Sequence, residues 1–200
     1  MLHLYLIRHG QTEWNTQRRF QGWLDSPLTQ LGIDAALSLK EELKDILFDT
    51  YMSSPSPRAY KTLSLVSNAS EDVLKTDSRL REIMLGSWQG MTHDEIETLY
   101  PEHIAMFYDE PEKFAFSNAE TFYDVYDRVK SFISDLEALD VADEEKNILV
   151  VTHGVTLMVF QLIFNGESVA DLNRYRVAGN VEVHKYHCHN KTWSERPYKK

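Results

Sequence analysis

The chain has 200 residues, of which 42% are apolar and 26% charged, with a formal net charge of −10. That length suits one domain with a continuous core, and the balance excludes a disordered or low-complexity protein. The acidity argues against nucleic acid and anionic membrane as main partners, because both select basic surfaces, so an anionic ligand needs a local basic pocket.

Residues 2–7 are apolar on both alternating faces, Leu2, Leu4 and Leu6 against Tyr5 and Ile7, which predicts a central strand covered on both sides. Thr29 is an N-cap candidate, and Leu31, Ala35, Leu39, Leu43 and Leu47 behind it predict an amphipathic helix. A short strand is expected at 48–53. The turn cluster Ser54-Pro55-Ser56-Pro57 then opens a helix that buries Ala59, Leu63 and Val66 and holds Arg58 in its first turn. From 78 to 118 the periodicity weakens, with Pro101, Pro111 and short helical pieces such as Asp94 to Tyr100, as in a lobe inserted over the pocket. Phe122, Val125, Val129, Phe132, Ile133 and Leu136 mark the most regular helix. A second two-sided apolar strand at 148–151 leads into an almost wholly apolar helix, Val155 to Phe164. Late strands are expected near 174–177 and 181–187, with a frayed tail from Trp193 to Lys200. The expected architecture is a three-layer α/β sandwich: one domain over 1–200, a mostly parallel central sheet flanked by helices, and the small helical lobe 78–118 over the active site.

The apolar run Ile148 to Phe164 is interrupted by Thr152-His153-Gly154, so no membrane span is expected, and the opening Met-Leu-His-Leu has no leader pattern. The single Cys188 allows no internal disulfide and fits a reducing compartment, hence the cytoplasm.

Arg8-His9-Gly10 follows the first strand and His153 follows the apolar run Ile148 to Val151, so two imidazoles sit where strands end and ligands collect in an open α/β sheet. A neutral imidazole in line with a P–O bond can attack phosphorus while cationic forks hold the equatorial oxygens. His9 is the candidate nucleophile. Arg8 and Arg58 can each present a planar fork to phosphate, and His153 can donate one further bond. Gly10 lets the chain turn and lets substrate approach.

The run Leu6-Ile7-Arg8-His9-Gly10-Gln11-Thr12-Glu13-Trp14-Asn15 resembles the opening signature of the histidine phosphatase, or phosphoglycerate mutase-like, superfamily. Three further blocks in order extend the resemblance over nearly the whole chain: Phe20 to Thr29, Ser53 to Thr62, and Val151-Thr152-His153-Gly154. The resemblance implies that Arg8, His9, Arg58 and His153 form a phosphate pocket, that His9 becomes phosphorylated, and that Asn15 and Gln21 contact the phosphate. It places Glu82, in Leu80-Arg81-Glu82-Ile83, at the position of the proton donor to the leaving oxygen. Where cofactor-dependent mutases carry an Arg-His-Tyr-Gly type segment after the acid, this chain has Ile83-Met84-Leu85-Gly86. Where many relatives have Gly-Gly-Glu-Ser, it has Asn118-Ala119-Glu120-Thr121.

The favoured expectation is therefore a phosphomonoesterase acting on a small phosphorylated metabolite through phosphohistidine, with no cofactor and no metal. The alternatives are a phosphoglycerate mutase and a non-catalytic phospho-ligand binder. Glu13, Asp25 and Glu120 are rival acids. His184, His187, Cys188 and His189 offer zinc-type ligands, but strand alternation divides them between two faces. Phe20, Trp23, Trp88, Phe107, Tyr108, Phe114 and Phe116 can wall an organic leaving group, and Arg18-Arg19 can steer anions.

Overall fold

Leu2–Arg8 forms strand β1, buried on both faces as its two-sided pattern requires. The computed structural model describes residues 1–140 and 144–198. After β1 come helices α1 (Glu13–Thr16) and α2 (Gln30–Leu43), strand β2 (Thr50–Ser53), helix α3 (Pro57–Val66) and the short strand β3 (Leu74–Thr76). Helices α4 (His93–Leu99), α5 (Pro101–Asp109) and α6 (Phe122–Glu137) precede strand β4 (Lys146–Thr152) and helix α7 (Gly154–Phe164), and strands β5 (Val183–His189) and β6 (Thr192–Arg196) follow.

The sheet order is β3-β2-β4-β1-β5-β6. The first four positions in that order run parallel, and β5 and β6 add antiparallel ladders on the other side. On one face, Leu4, Leu6, Ile148 and Val150 pack with α6 and α7. On the other, Tyr5, Ile7, Leu149 and Val151 pack with α2 and α3. All six apolar positions read from α6 are buried, each contributing about 1.5–3 kcal/mol of transfer free energy before ordering costs. Among the described residues no helix is long and apolar enough to cross a membrane.

Sequence and structure part company at four places. In α2 the buried stripe is Gly32, Ala36, Leu39 and Leu43, while Leu31 is 64% exposed and Leu47, beyond the helix end, 87%. A four-residue repeat drifts by about 40° per step on a 3.6-residue helix, so of its members only Leu39 and Leu43 keep to the buried face. No strand forms at 174–177: Val169–Arg174 is a 3-10 helix, and β4 and β5 already occupy both edges of β1. The strand β3 carries no periodic signal in its three residues. Much of the tail expected to fray is β6, joined to β5 through Asn190 and Lys191, whose φ values of 49° and 60° suit a two-residue hairpin turn. Trp193 anchors that strand by stacking on Phe164 at 4.5 Å. Residues 199–200 of the tail lie outside the described residues.

Candidate active site

Parallel pairing of β1 with β4 sets Arg8 opposite Thr152, so His9 and His153 leave neighbouring strands at one level. The chain after β1 passes to α2 on one face and the chain after β4 to α7 on the other, which opens a crevice between them. The imidazole rings stand 5.1 Å apart at 62°. A cleft of about 430 Å³ lies over them, lined among others by Arg8, His9, Asn15, Gln21, Arg58 and Glu82. His153 is wholly buried behind His9 and does not line the cleft.

Hydrogen bonding settles the tautomer of His9. Its Nδ1 lies 2.8 Å from the Gly10 carbonyl, which can only accept, so Nδ1 carries the hydrogen. Arg58 Nε, which can only donate, lies 3.3 Å from Nε2, so Nε2 presents its lone pair. Burial, then the Arg58 and Arg8 charges, hold the His9 pKa well below the usual imidazole value, and burial, then Arg58 and His9, do the same to His153. Both rings are neutral at pH 7.

Arg58 enters from the first turn of α3, behind Pro57, and its guanidinium is nearly spent. It donates to the carbonyls of Gly22 and Leu24 at 2.8 and 2.7 Å and pairs with Asp25 at 2.9 Å. Thr62, one turn along α3, accepts from Gly10 N–H at 2.9 Å, tying the loop after β1 to the same helix. Arg8 donates through Nη1 to Ala178 O at 2.7 Å, whereas its Nε, like both ring nitrogens of His153, is buried without a protein partner among the described residues. Burial lowers the pKa of both guanidinium groups, Arg8 and Arg58, from the usual arginine value, though both stay charged at neutral pH.

Glu82 reaches the cleft from the opposite wall. Its carboxylate accepts from the backbone N–H groups of Ile83 at 3.0 Å and of Val155 and Thr156 at 3.2 Å, so it caps the N-terminus of α7. A Cβ built at Gly154 would lie 3.6 Å from Glu82 Oε2 and 3.7 Å from Arg8 Nε, which measures how closely these groups converge. Asn15 closes a capping box with Thr12, and Gln21 accepts from Ser26 Oγ at 3.3 Å.

The rival acids have other partners or settings: Asp25 pairs with Arg58, Glu120 with Arg128, and Glu13 is exposed on α1. Of the aromatic set, Phe20, Phe107 and Tyr108 line the cleft, Trp88 and Phe114 are buried in the core shared with the sheet, and Phe116 packs on Trp88 at 4.9 Å. Trp23 is half-exposed and donates to Glu82 O. Arg18 and Arg19 line the mouth but face Asp94 and Glu95. In β5, His187 packs on His3 at 4.4 Å while Tyr186 and Cys188 are buried on the other face. Metal-ligand spacing among the described residues occurs instead at His93, Asp94 and Glu97, with both carboxylates exposed. Two participants escaped the sequence reading. Asn180, whose Nδ2 donates to His9 O at 2.9 Å, has no local motif, and Asp25 reads as an acid until Arg58 is seen beside it.

A mostly parallel α/β sheet with a tautomerically fixed histidine beside two guanidinium groups defines a histidine-centred site at the rim of the sheet. The chain belongs to the histidine phosphatase superfamily, branch 1, whose family model matches residues 4–199. It is 35% identical over 176 residues to Phosphoserine phosphatase 1 of Hydrogenobacter thermophilus, covering 88% of this chain and 80% of that protein. It superposes on Bacillus stearothermophilus YhfR with a TM-score of 0.90 at 33% identity, covering 98% of this chain and 95% of the other. A mycobacterial glucosyl-3-phosphoglycerate phosphatase in complex with VO3 gives a TM-score of 0.85 at 29% identity, over 97% and 96% of the two chains. Another relative, in Proteus mirabilis, is named a probable phosphoglycerate mutase and is 32% identical over 160 residues, 78% of this chain and 72% of that one.

Proposed function

We propose that the protein is a phosphomonoesterase acting on a small phosphorylated organic substrate through a phosphohistidine. One observation carries this reading: a neutral His9, its Nε2 lone pair held by Arg58 Nε, lines a cleft beside the buried Arg8 Nε–H, with the His153 ring directly behind it, and among the described residues neither that N–H nor that ring has a partner. A buried unpaired donor costs about 1–3 kcal/mol, which an oxyanion accepting those bonds would recover.

In the first step His9 Nε2 forms the N–P bond as the P–O bond to the leaving alcohol breaks, and Glu82 hands that oxygen a proton. Arg8, Arg58 and His153 hold the equatorial oxygens, with Asn15 and Gln21 at the edge of the phosphoryl site. In the second step water attacks phosphorus, the N–P bond breaks, and Glu82 takes the water proton. Orthophosphate leaves and both side chains return to their starting states. No step requires a metal or cofactor.

Segment 78–118 supplies Glu82, Ile83, Leu85, His93, Phe107 and Tyr108 to the cleft lining, which supports its reading as a lobe that shapes the leaving-group side. The names of relatives favour phosphoserine and phosphoglycerate esters as first substrates to try. The test is phosphate release from a panel of sugar phosphates, phosphoglycerates, phosphoserine and nucleotides, in chelator, by wild type and His9→Ala. Undiminished turnover in the variant refutes the covalent role. Isomerisation of phosphoglycerate with little hydrolysis would identify a mutase instead, the reading favoured by the Proteus relative's name. Binding without phosphate release would identify a sensor.

A further inference from the structure

Glu82 follows a single 3-10 turn at Ser78–Leu80 and belongs to no strand or α-helix. Its segment is nevertheless held at four successive carbonyls, all by side-chain donors from elsewhere. Arg128 Nη1, on α6, donates to Arg79 O at 2.7 Å and to Arg81 O at 2.6 Å. Thr152 Oγ1, at the end of β4, donates to Leu80 O at 2.8 Å, and Thr156 Oγ1, on α7, to Arg81 O at 2.7 Å. Trp23 Nε1 donates to Glu82 O at 2.9 Å.

Arg128 is the member of this set that spans two carbonyls, and it is itself aligned. Its Nε and Nη2 meet both oxygens of Glu120 at 3.0 and 3.1 Å, and Glu120 Oε2 also accepts from Met84 N–H at 2.9 Å. The clamp therefore grips the chain on either side of Glu82. Asn118 adopts φ 56° two residues before Glu120, a left-handed conformation that asparagine tolerates better than most residues, and so permits the turn that brings Glu120 back to Met84.

We infer that Arg128, aligned by Glu120, is a positioning residue for Glu82: it sets the reach of that carboxyl toward the leaving oxygen without touching substrate. This rests on the reading of Glu82 as the acid. Proton transfer requires heavy atoms within about 2.6–3.2 Å, so a small slackening of the 79–82 segment is felt at the leaving group and not at phosphorus. Lysine at 128 keeps the charge but lacks the planar fork that bridges a carboxylate and two carbonyls.

The test compares kcat/KM, which reports phosphohistidine formation, for two leaving groups. Phosphoserine loses an alkoxide that needs a proton, whereas p-nitrophenyl phosphate loses a stable anion that does not. Arg128→Lys should lower kcat/KM for phosphoserine by about 10–100-fold and for p-nitrophenyl phosphate by less than about threefold, following the pattern of Glu82→Gln. Glu120→Gln should show the same contrast to a smaller degree, and it carries the test if Arg128→Lys fails to fold. A uniform loss on both substrates marks a merely structural role and overturns the inference, as does no loss on either. Equal losses in Glu82→Gln would overturn it through the acid while leaving the phosphatase reading intact. A wild type that hydrolyses neither ester, nor any other in the panel, refutes that reading and the clamp together.

Discussion

Replacing Asp25 with asparagine tests the electrostatics of the pocket with signs that oppose each other. Asp25 Oδ1 meets Arg58 Nη1 at 2.9 Å and the Arg58 backbone N–H at 3.2 Å. The arginine side chain is 1% exposed and the aspartate 26%. Removing one partner of a fully buried pair costs about 3–5 kcal/mol. Asparagine retains an acceptor oxygen for both contacts, and solvent screens the partly exposed carboxylate, so the expected loss is about 1–2 kcal/mol. For a chain of this length that corresponds to about 2–8 °C in Tm. The same change removes an anion that competes for Arg58, so orthophosphate should bind the variant more tightly and stabilise it more at equal concentration. Thermal melts of Asp25→Asn and wild type near neutral pH, with and without orthophosphate, read both effects. Equal Tm values without phosphate, or equal increments with it, would refute the counter-ion role.

His9→Ala should lower kcat/KM by several orders of magnitude, since no neighbour can form the covalent intermediate, and should abolish acid-labile phosphoenzyme in rapid-quench labelling. Because burial and two arginines keep His9 neutral well below its ordinary value of 6.5, the acid limb of kcat/KM should fall below that pH; a limb at or above it contradicts the assignment. The same depression, shared with His153, acts on stability. Below about pH 6.5 the unfolded chain binds protons that the folded rings refuse, so stability should fall with pH by up to about 1.4 kcal/mol per unit per histidine, seen as a falling urea midpoint. Gly32→Ala should destabilise by about 1–3 kcal/mol despite alanine's better helix propensity, because its Cβ would stand 2.3 Å from Gln11 O; an unchanged urea midpoint would contradict this.

The parts of the fold legible in the chain are those whose burial is two-sided or strictly helical. β1 and β4 announce themselves because both faces are covered, and α6 because its six apolar residues keep the helical period. β3 and β6 do not, since edge strands need little apolar content, and Tyr175 and Val177 mislead because ladder partners depend on which edges remain free. The same split runs through the site. His9, Arg8, Arg58 and His153 stand next to strand ends or a helix start and can be found by position. The anchoring of Glu82 on α7, the Asp25 counter-ion and the reach of Asn180 to His9 are contacts between segments far apart in sequence, and no local pattern encodes them.

The His9 imidazole and its two arginines hang from the rim of the sheet and the start of α3, whereas Leu85, His93, Phe107 and Tyr108 reach the cleft from 83–118. The cleft is thus walled from several stretches of polypeptide, with Arg18, Arg19 and Phe20 beside the 83–118 residues. Tyr108, 46% exposed at the cleft, can be exchanged while the phosphoryl end keeps its spacing, so the wall facing an organic group can be re-tailored from within that stretch.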